Sequence, residues 1–410
     1  MKYVHVSAAV PDDIPALYMK QRRVISGQQA QKFNRLFGTG LKKAGFDITM
    51  LSQVPLGFKD APFRTVAPED RAAEGLDYSF VGFANVPLIK NICAYFGSRR
   101  FVKKIIRRHG AENVRVTCDL LTLSAAMGAL DAAAKYGALS LGIITDLPEH
   151  LSGRASSGLY GRLFARCVRR SSGLITLTEA IGRRFGRPFT VIEGIASPAA
   201  ENGGGEAPAG DLTEKYGVDP VREKVFFYAG GIEEAYGVKL LTDAYIKANI
   251  PDSRLVLCGG GSFAEELSKI AGNDPRIVFA GLQDNRLVTA LEKEAFLLVN
   301  PRTSAGEFTR YSFPSKNLEY MSSGTPMAGF MLPGIPGEYR NHMFVPDEET
   351  AESLASLFVK VAGMPREDLM RKGAQAAEFV LGGKSPEAQA LAAVSFFDEL
   401  RDGADPEQGR

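Results

Sequence analysis

Residues 299–326 read VNPRTSAGEFTRYSFPSKNLEYMSSGTP: the end of a strand, a loop and a helix. Pro314 suits the first turn of that helix, where a missing N–H costs nothing. Ser312 or Phe313 would then cap it, Leu318 and Met321 would turn inward, and Gly324 would end it. A helix start gathers unpaired backbone N–H groups and the positive end of the dipole, which suits a phosphate. Ser315 and Lys316 open the turn, Lys316 adding a cation, and Glu319 sets a carboxylate one turn deeper. These residue types at this spacing suit an anionic, phosphate-bearing ligand.

The surrounding elements must hold that loop in place. Apolar runs at Lys224–Tyr228 and Ser253–Cys258 lead into Gly230-Gly231 and Gly259-Gly260-Gly261. Arg276–Phe279, Phe296–Asn300 and Met327–Phe330 continue the series, with a helix from about Gly237 to Lys247. The first half repeats the scheme with strands at Tyr3–Ala9, Phe46–Leu51, Val114–Thr117, Leu139–Ile144, Gly173–Leu177 and Thr190–Ile192. Its first helix places Ala30, Phe33, Leu36, Phe37 and Leu41 at helical spacing. Apolar runs that end in glycine and flow into helices mark parallel sheets covered on both faces. The expected fold class is therefore α/β, with two doubly wound Rossmann-like domains facing across a cleft and ligands at the carboxyl ends of the strands. The expected boundaries are 1–198 and 212–384, joined by a linker at 199–211 (AAENGGGEAPAGD). A last helix within 385–410 is expected to cross back to the first domain.

Composition narrows the class. With 410 residues, 45% hydrophobic and 23% charged, the chain is an ordinary globular protein rather than a disordered or collagen-like one. Cys93, Cys118, Cys167 and Cys258 form no CxxC pair and no cluster with His5, His109, His150 or His342. They read as buried thiols in a reducing compartment rather than a zinc site. The first residues lack the apolar core of a signal peptide. The longest apolar stretch, Leu120–Ile144, is broken by Asp131 and Lys135. A cytoplasmic protein is expected.

The net charge of +2 conceals a division. Residues 1–195 carry 28 Lys and Arg against 15 Asp and Glu, whereas residues 196–410 carry 21 against 32. Within the basic half, Ser98–Gly110 (SRRFVKKIIRRHG) sets Arg99, Arg100, Lys103, Lys104, Arg107 and Arg108 around Phe101, Val102, Ile105 and Ile106. An apolar stripe flanked by cations suits an anionic membrane surface, or an ordinary helix packed on its sheet. Nucleic acid is disfavoured, because no binding module or aromatic stacking platform is evident.

The block at 311–326 resembles the donor-binding element of family-4 retaining glycosyltransferases with the GT-B fold, bacterial capsule and exopolysaccharide enzymes in particular. YAGGIEEAYGVKLLTDAY (228–245), LVLCGGGS (255–262), RIVFAGL (276–282), SGQQAQKFNRLFGTGLKKAGFDITMLS, IITDLPEH and TLTEAI extend the resemblance over much of the chain. It implies a nucleotide-sugar donor, UDP- or GDP-type, held by the C-terminal domain, and no obligatory cofactor or metal ion. Glu319 matches the second Glu of the family's Glu–seven residues–Glu pattern, which hydrogen-bonds ribose hydroxyls. Tyr311 stands where the first Glu would be, and Glu307 lies nearby. Gly231 and Tyr236 stand where the family carries the Arg and Lys that meet the diphosphate. Lys316, Arg310 and Lys239, with the helix amides, are the remaining candidates, Lys316 foremost. Gly27, Gly230 and Gly231 let the backbone approach the donor, and Leu282, Ser312, Phe313 and Ser315 line its expected site.

On the acceptor side the resemblance puts Asp146, with Glu149 and His150 beside it, near the reaction centre. His5 reads as a structural histidine. The implied activity is transfer of a sugar with retention onto a glycan or polyprenyl-linked acceptor, in cell-surface polysaccharide assembly, by an enzyme that is cytoplasmic or peripheral on the membrane's inner face. The departures at Gly231, Tyr236 and Tyr311 also admit a non-catalytic subunit partnering an active transferase. A nucleotide-sugar epimerase of the same fold is a third possibility.

Overall fold

The computed structural model describes residues 1–11, 13–14, 28–59, 61, 63–150, 158–198 and 216–403, with the backbone alone at 28–30 and 150. The expected linker at 199–211 and Gly27 lie outside the described residues. The chain divides into two compact units, Met1–Ile195 with Ser385–Arg410, and Ala196–Lys384.

The first unit runs β1 (Lys2–Ser7), α1 (Gln28–Lys43), β2 (Asp47–Ser52), β3 (Thr65–Val66), β4 (Glu69–Ala73), β5 (Leu76–Phe80) and β6 (Phe83–Ala84). It continues with α2 (Ile89–His109), β7 (Val114–Asp119), α3 (Leu123–Tyr136), β8 (Leu139–Ile144), α4 (Gly158–Arg170), β9 (Gly173–Thr176), α5 (Glu179–Arg184) and β10 (Phe189–Val191). Its eight-stranded sheet has the order β10-β9-β8-β7-β1-β2-β5-β4. Every pairing is parallel except that of β4 with β5. Every residue of β7 is buried, as a central strand covered on both faces requires.

The β4–β5 hairpin is absent from the sequence expectation. Glu74 (φ 52°) and Gly75 (φ 75°) make its two-residue turn between the paired residues Ala73 and Leu76, and two positive φ values in succession suit the twist of a tight hairpin. The strand EDRAA is an edge strand with its charges outward, so it lacks the apolar alternation that marks a strand in sequence.

The second unit runs β11 (Lys224–Ala229), α6 (Val238–Ala248), β12 (Ser253–Cys258), α7 (Ala264–Asn273), β13 (Ile277–Gly281), α8 (Asn285–Glu294) and β14 (Leu297–Asn300). After these come α9 (Lys316–Ser322), β15 (Met327–Gly329), α10 (Ala351–Ala362) and α11 (Arg366–Gly383). Its five strands are parallel in the order β13-β12-β11-β14-β15. The last helix, α12 (Pro386–Asp402), belongs to the first unit. There Phe396 and Phe397 join Tyr3 and Phe37 in the core, and Gln389 Nε2 donates to Gly194 O at 3.1 Å.

Both sheets are doubly wound. In the first, β1 lies between β2 and the returning β7; in the second, β11 lies between β12 and the returning β14. Ligands of such sheets bind outside the carboxyl ends of the strands where the winding reverses. The places to search are therefore the ends of β1 and β7 and the ends of β11 and β14.

Helix α2 decides between the two readings of its apolar stripe. Val102 and Ile106 are buried, and Phe101 and Ile105 are half-buried. That stripe is packing surface, because α2 lies tight on α3: a Cβ added at Gly128 would come within 2.1 Å of Tyr95 O. The exposed ridge of the helix is different. Leu88, Ile92 and Phe96 continue at i+4 spacing into Arg100, Lys104 and Arg108, all exposed. Among the described residues no helix is long and apolar enough to cross a membrane.

A Cβ at Gly40 of α1 would lie 1.8 Å from Pro386 O of α12. Gly40→Ala is therefore expected to lower the unfolding free energy by about 1–3 kcal/mol through overpacking. Gly161 in α4 has nothing within 4 Å of an added Cβ, and its Ala variant is expected to gain up to about 1 kcal/mol. Urea unfolding of both variants checks this; equal midpoints would refute the close seating of α12 on α1.

Candidate functional site

At the carboxyl end of β11 the backbone is held from two sides. The buried Tyr320 hydroxyl of α9 accepts from Ala229 N at 2.9 Å and lies 3.3 Å from Ala229 O, to which it donates. On the other side Gly230 N donates to Cys258 O at 3.0 Å, and Ile232 N to Gly260 O at 3.0 Å. Gly259 N in turn donates to Gly281 O at 2.8 Å. The loops after β11 and β12 and the end of β13 are thus laced into one edge. Gly259 (φ +140°) has no alternative, since a Cβ there would sit 1.8 Å from Gly230 O. Tyr228 donates to Gly231 O at 2.9 Å, and the Tyr236 ring closes over Gly231, 2.8 Å from where a Cβ would be. Glu233 accepts from the Ser262 hydroxyl and amide, which hold its carboxyl below the usual carboxylate range.

Strand β14 brings the second set. Asn300 Nδ2 donates to Asn317 Oδ1 at 2.7 Å, tying the strand end to α9. Two residues on stands Arg302, its guanidinium carbon 5.4 Å from the Tyr236 ring centre and 4.8 Å from that of Phe308. Its Nη2 donates to Ser312 Oγ at 3.3 Å, while its Nε is buried with no hydrogen-bond partner. Arg302 has no place in the sequence expectation. The one signal available was a cation just past the strand at which the winding reverses, and recognising it requires the strand order.

The helix after the loop is shorter than expected. It starts at Lys316 and has seven residues; Ser315 precedes it in helical backbone without a side-chain cap bond. The helix begins at Lys316, three residues past Phe313, so neither Ser312 nor Phe313 occupies its cap. The physical reason is that both are otherwise engaged: Ser312 takes the Arg302 bond, and Phe313 is buried with its ring centre 5.2 Å from that of Tyr339. Pro314 O and Ser315 O accept the first helical amides, from Asn317 at 2.9 Å and Leu318 at 3.1 Å. Lys316 Nζ lies 3.1 Å from Glu319 Oε2, so the expected cation and the expected carboxylate form a pair. Burial pulls the Lys316 pKa down, but Glu319 and Glu292 more than offset it, and the ammonium is held above its ordinary range.

The remaining expected residues are more scattered. Glu307 and Arg310 are exposed on a single turn, Glu307–Tyr311, with Tyr311 half-buried at its end. Lys239 faces outward and pairs with Asp243 at 2.6 Å. Leu282 is 84% exposed, beside the β12 glycines. Among the described residues, no group of His, Cys, Asp and Glu is placed to hold a metal ion.

In the first unit, Asp146 is exposed just past β8. Glu149 pairs with Arg184 at 2.5 Å, and the His150 side chain lies outside the described residues. Asp146 sits beside a buried polar network at the β1–β7 reversal. Asn34 Nδ2 donates to Asp119 Oδ2 at 3.1 Å, and Leu121 N donates to Asp119 Oδ1 at 2.9 Å. With its amide so oriented, Asn34 Oδ1 accepts from His5 Nε2 at 2.8 Å. His5 Nδ1 then accepts from the Thr117 hydroxyl at 2.8 Å. Burial raises the Asp119 pKa to about 6, the nearby Asp146 charge adding to it against the hydrogen bonds. Burial lowers the His5 pKa to about 4.

Residues 223–362, which run from just before β11 to the end of α10, match the family model described as Glycosyl transferases group 1. No curated protein sequence matches the chain. Among solved structures, the sucrose-phosphate synthase of Thermosynechococcus elongatus is similar at a TM-score of 0.63 and 14% identity, over 98% of this chain and 100% of that one. Anabaena HepE in complex with UDP is similar at 0.62 and 13%, over 97% and 100%. The E. coli trehalose-6-phosphate protein bound with UDP-2-fluoro glucose is similar at 0.61 and 11%, over 97% and 99%. This likeness shows the fold, which is the GT-B type anticipated from the sequence.

The His5–Asp119 network makes a test in pH. Asp119 is raised above its unfolded pKa of 3.8, so its contribution to stability is lost as pH rises from there through about 6. His5 is depressed from 6.5 to about 4, so its contribution grows over nearly the same window. The two slopes oppose each other in the native protein. Asp119→Asn removes the first slope only. Its unfolding free energy relative to wild type is expected to rise by about 1.4 kcal/mol per pH unit between pH ~4 and ~6, and to level off above. Denaturant titrations at several pH values measure it; a difference that does not change with pH would show that Asp119 is not held protonated.

Proposed function

We propose that the chain is a retaining glycosyltransferase that moves a sugar from a UDP- or GDP-sugar onto a glycan or polyprenyl-linked acceptor in cell-surface polysaccharide assembly. The observation that carries this reading is the edge built at the β11–β14 reversal, within the segment that matches the glycosyl transferase model. Glycine loops lead from the strand ends there, with Gly260 and Gly261 exposed and Gly230 and Gly231 half-buried, and a Lys316–Glu319 pair lies on α9. The nucleotides bound in two similar structures, UDP and UDP-2-fluoro glucose, favour a uridine donor.

In this reading Glu319 accepts hydrogen bonds from the ribose hydroxyls, with Lys316 holding its carboxylate in place and adding positive charge. The backbone of Gly230 and Gly231 lies against the diphosphate, the space beside Gly231 being taken by the Tyr236 ring. The transferring sugar carries oxocarbenium character while the diphosphate departs, and fixed dipoles and cations stabilise that charge in place. The departing phosphate takes the acceptor's proton on the same face, so the transfer needs no protein nucleophile or base; no obligatory metal ion is part of this reading. Asp146 contacts the reacting sugar or acceptor from the first unit, and Glu307 the donor sugar.

A second reading, a non-catalytic partner of an active transferase, is favoured by Gly231, Tyr236 and Tyr311 in place of charged residues. Calorimetry with UDP and GDP followed by donor hydrolysis separates the two. Glu319→Ala is expected to weaken nucleotide binding about 10–100-fold, the worth of hydrogen bonds to a charged group. Binding without any donor turnover would favour the partner reading, and Glu319→Ala binding at wild-type strength would overturn the ribose contact.

The acceptor side is proposed to meet an anionic membrane surface, peripheral on its cytoplasmic face. Supporting this are the excess of Lys and Arg in residues 1–195 and the ridge of α2, where Leu88, Ile92 and Phe96 lead into Arg100, Lys104 and Arg108. Each cation near such a surface contributes about 1 kcal/mol. Vesicles with anionic lipid are expected to retain the protein at low salt and release it at high salt. Replacing Arg100, Lys104 and Arg108 by Gln should abolish retention; equal retention on neutral vesicles would count against this contact.

A further inference from the structure

We propose that Arg302 is the residue that grips the diphosphate of the donor, in place of the two basic residues absent at Gly231 and Tyr236; this rests on the donor-binding reading above. Arg302 follows β14 by two residues, and β14 and β11 are the neighbouring strands at which the second sheet reverses. The loop after β11 reaches it there: a Cβ at Gly237 would lie 2.0 Å from Pro301 O, and the Tyr236 ring stacks on the guanidinium. Arg302 is the first side-chain cation past the carboxyl end of either strand.

The chemistry of the side chain fits. A guanidinium has five N–H donors in a rigid fork suited to phosphate oxygens. Here Ser312 takes one of them at 3.3 Å, and the buried Nε has no partner. Among the described residues no carboxylate pairs with Arg302, and only the Tyr236 and Tyr228 phenols oppose the effect of burial on it. A half-buried cation without an anion is costly, and a bound anion offsets that cost. Lys316 differs, since Glu319 already balances its charge at 3.1 Å.

The two substitutions relative to the family then have a common cause. The guanidinium lies against the rings of Tyr236 and Phe308. Tyr236 can lie there because residue 231 has no side chain; a Cβ would fall 2.8 Å from its ring. Gly231, Tyr236 and Arg302 form one device, with the positive charge moved from the loop after β11 to the loop after β14.

The test compares UDP, GDP and ADP with uridine, guanosine and adenosine on the full chain, by calorimetry for the nucleotides and ligand-observed NMR for the nucleosides. For the nucleotide that wild type binds, Arg302→Gln is expected to weaken the diphosphate about 10–100-fold and to leave its nucleoside within about twofold. Arg302→Lys keeps the charge but loses the fork and the stacking, and is expected to fall between. The two variants carry equal weight, so a Gln variant that does not fold leaves the Lys variant as the test. Wild-type diphosphate affinity in the folded variants overturns the role of Arg302 and leaves the donor reading standing. Equal loss of nucleotide and nucleoside also overturns it, because the residue would then only support the fold. No diphosphate bound by wild type overturns the donor reading and the proposal with it.

Discussion

The hydroxyl of Tyr320 has no contact with water and satisfies the backbone of Ala229 instead. Left alone in a buried site, that amide would cost about 1–3 kcal/mol. The bond fixes the last residue of β11 against α9, which carries Lys316 and Glu319 one position earlier on the same turn. The opposite edge of β11 is fixed by Gly230 N on Cys258 O. A strand end tied on both sides cannot drift, so the glycine loop and the charged helix keep one geometry without help from a ligand. Burial pushes the Tyr320 phenol well above its ordinary pKa, which keeps it a neutral donor and acceptor.

The first unit solves the same problem with different chemistry. At its own reversal the end of β7 carries Asp119, buried and bound to Asn34, which binds His5 in turn. Burial favours the neutral form of both, so between pH about 4 and about 6 the network holds its hydrogen bonds without a charge, and above that the Asn34 and Leu121 amides hold the Asp119 carboxylate. The exposed Asp146 lies close enough to contribute to that bias. One reversal thus collects buried acid and the other an unbalanced arginine, and both lie where open α/β sheets place their ligands.

The charge division along the chain has a local counterpart. In α2 the apolar residues within the basic run hold the helix on α3, whereas the apolar residues preceding the run are exposed. Periodicity alone left that stripe open between a membrane surface and a packed helix, because it identifies a face without saying which neighbour covers it.

The sequence by itself determined the two doubly wound units. Their strands are apolar runs buried on both faces, and that pattern is local and needs no partner to be read. It also marked the block around Lys316 and Glu319, since their spacing on one helix turn is a local property. It did not reveal the hairpin at 69–80, whose outer strand is charged and exposed. Nor did it reveal Arg302 or the His5–Asn34–Asp119 network. Those groups owe their chemistry to neighbours distant in sequence: His5 meets Thr117 across 112 residues and Arg302 meets Tyr236 across a crossover. Only the strand order brings them together, and only burial then decides which charge is balanced and which is left to bind.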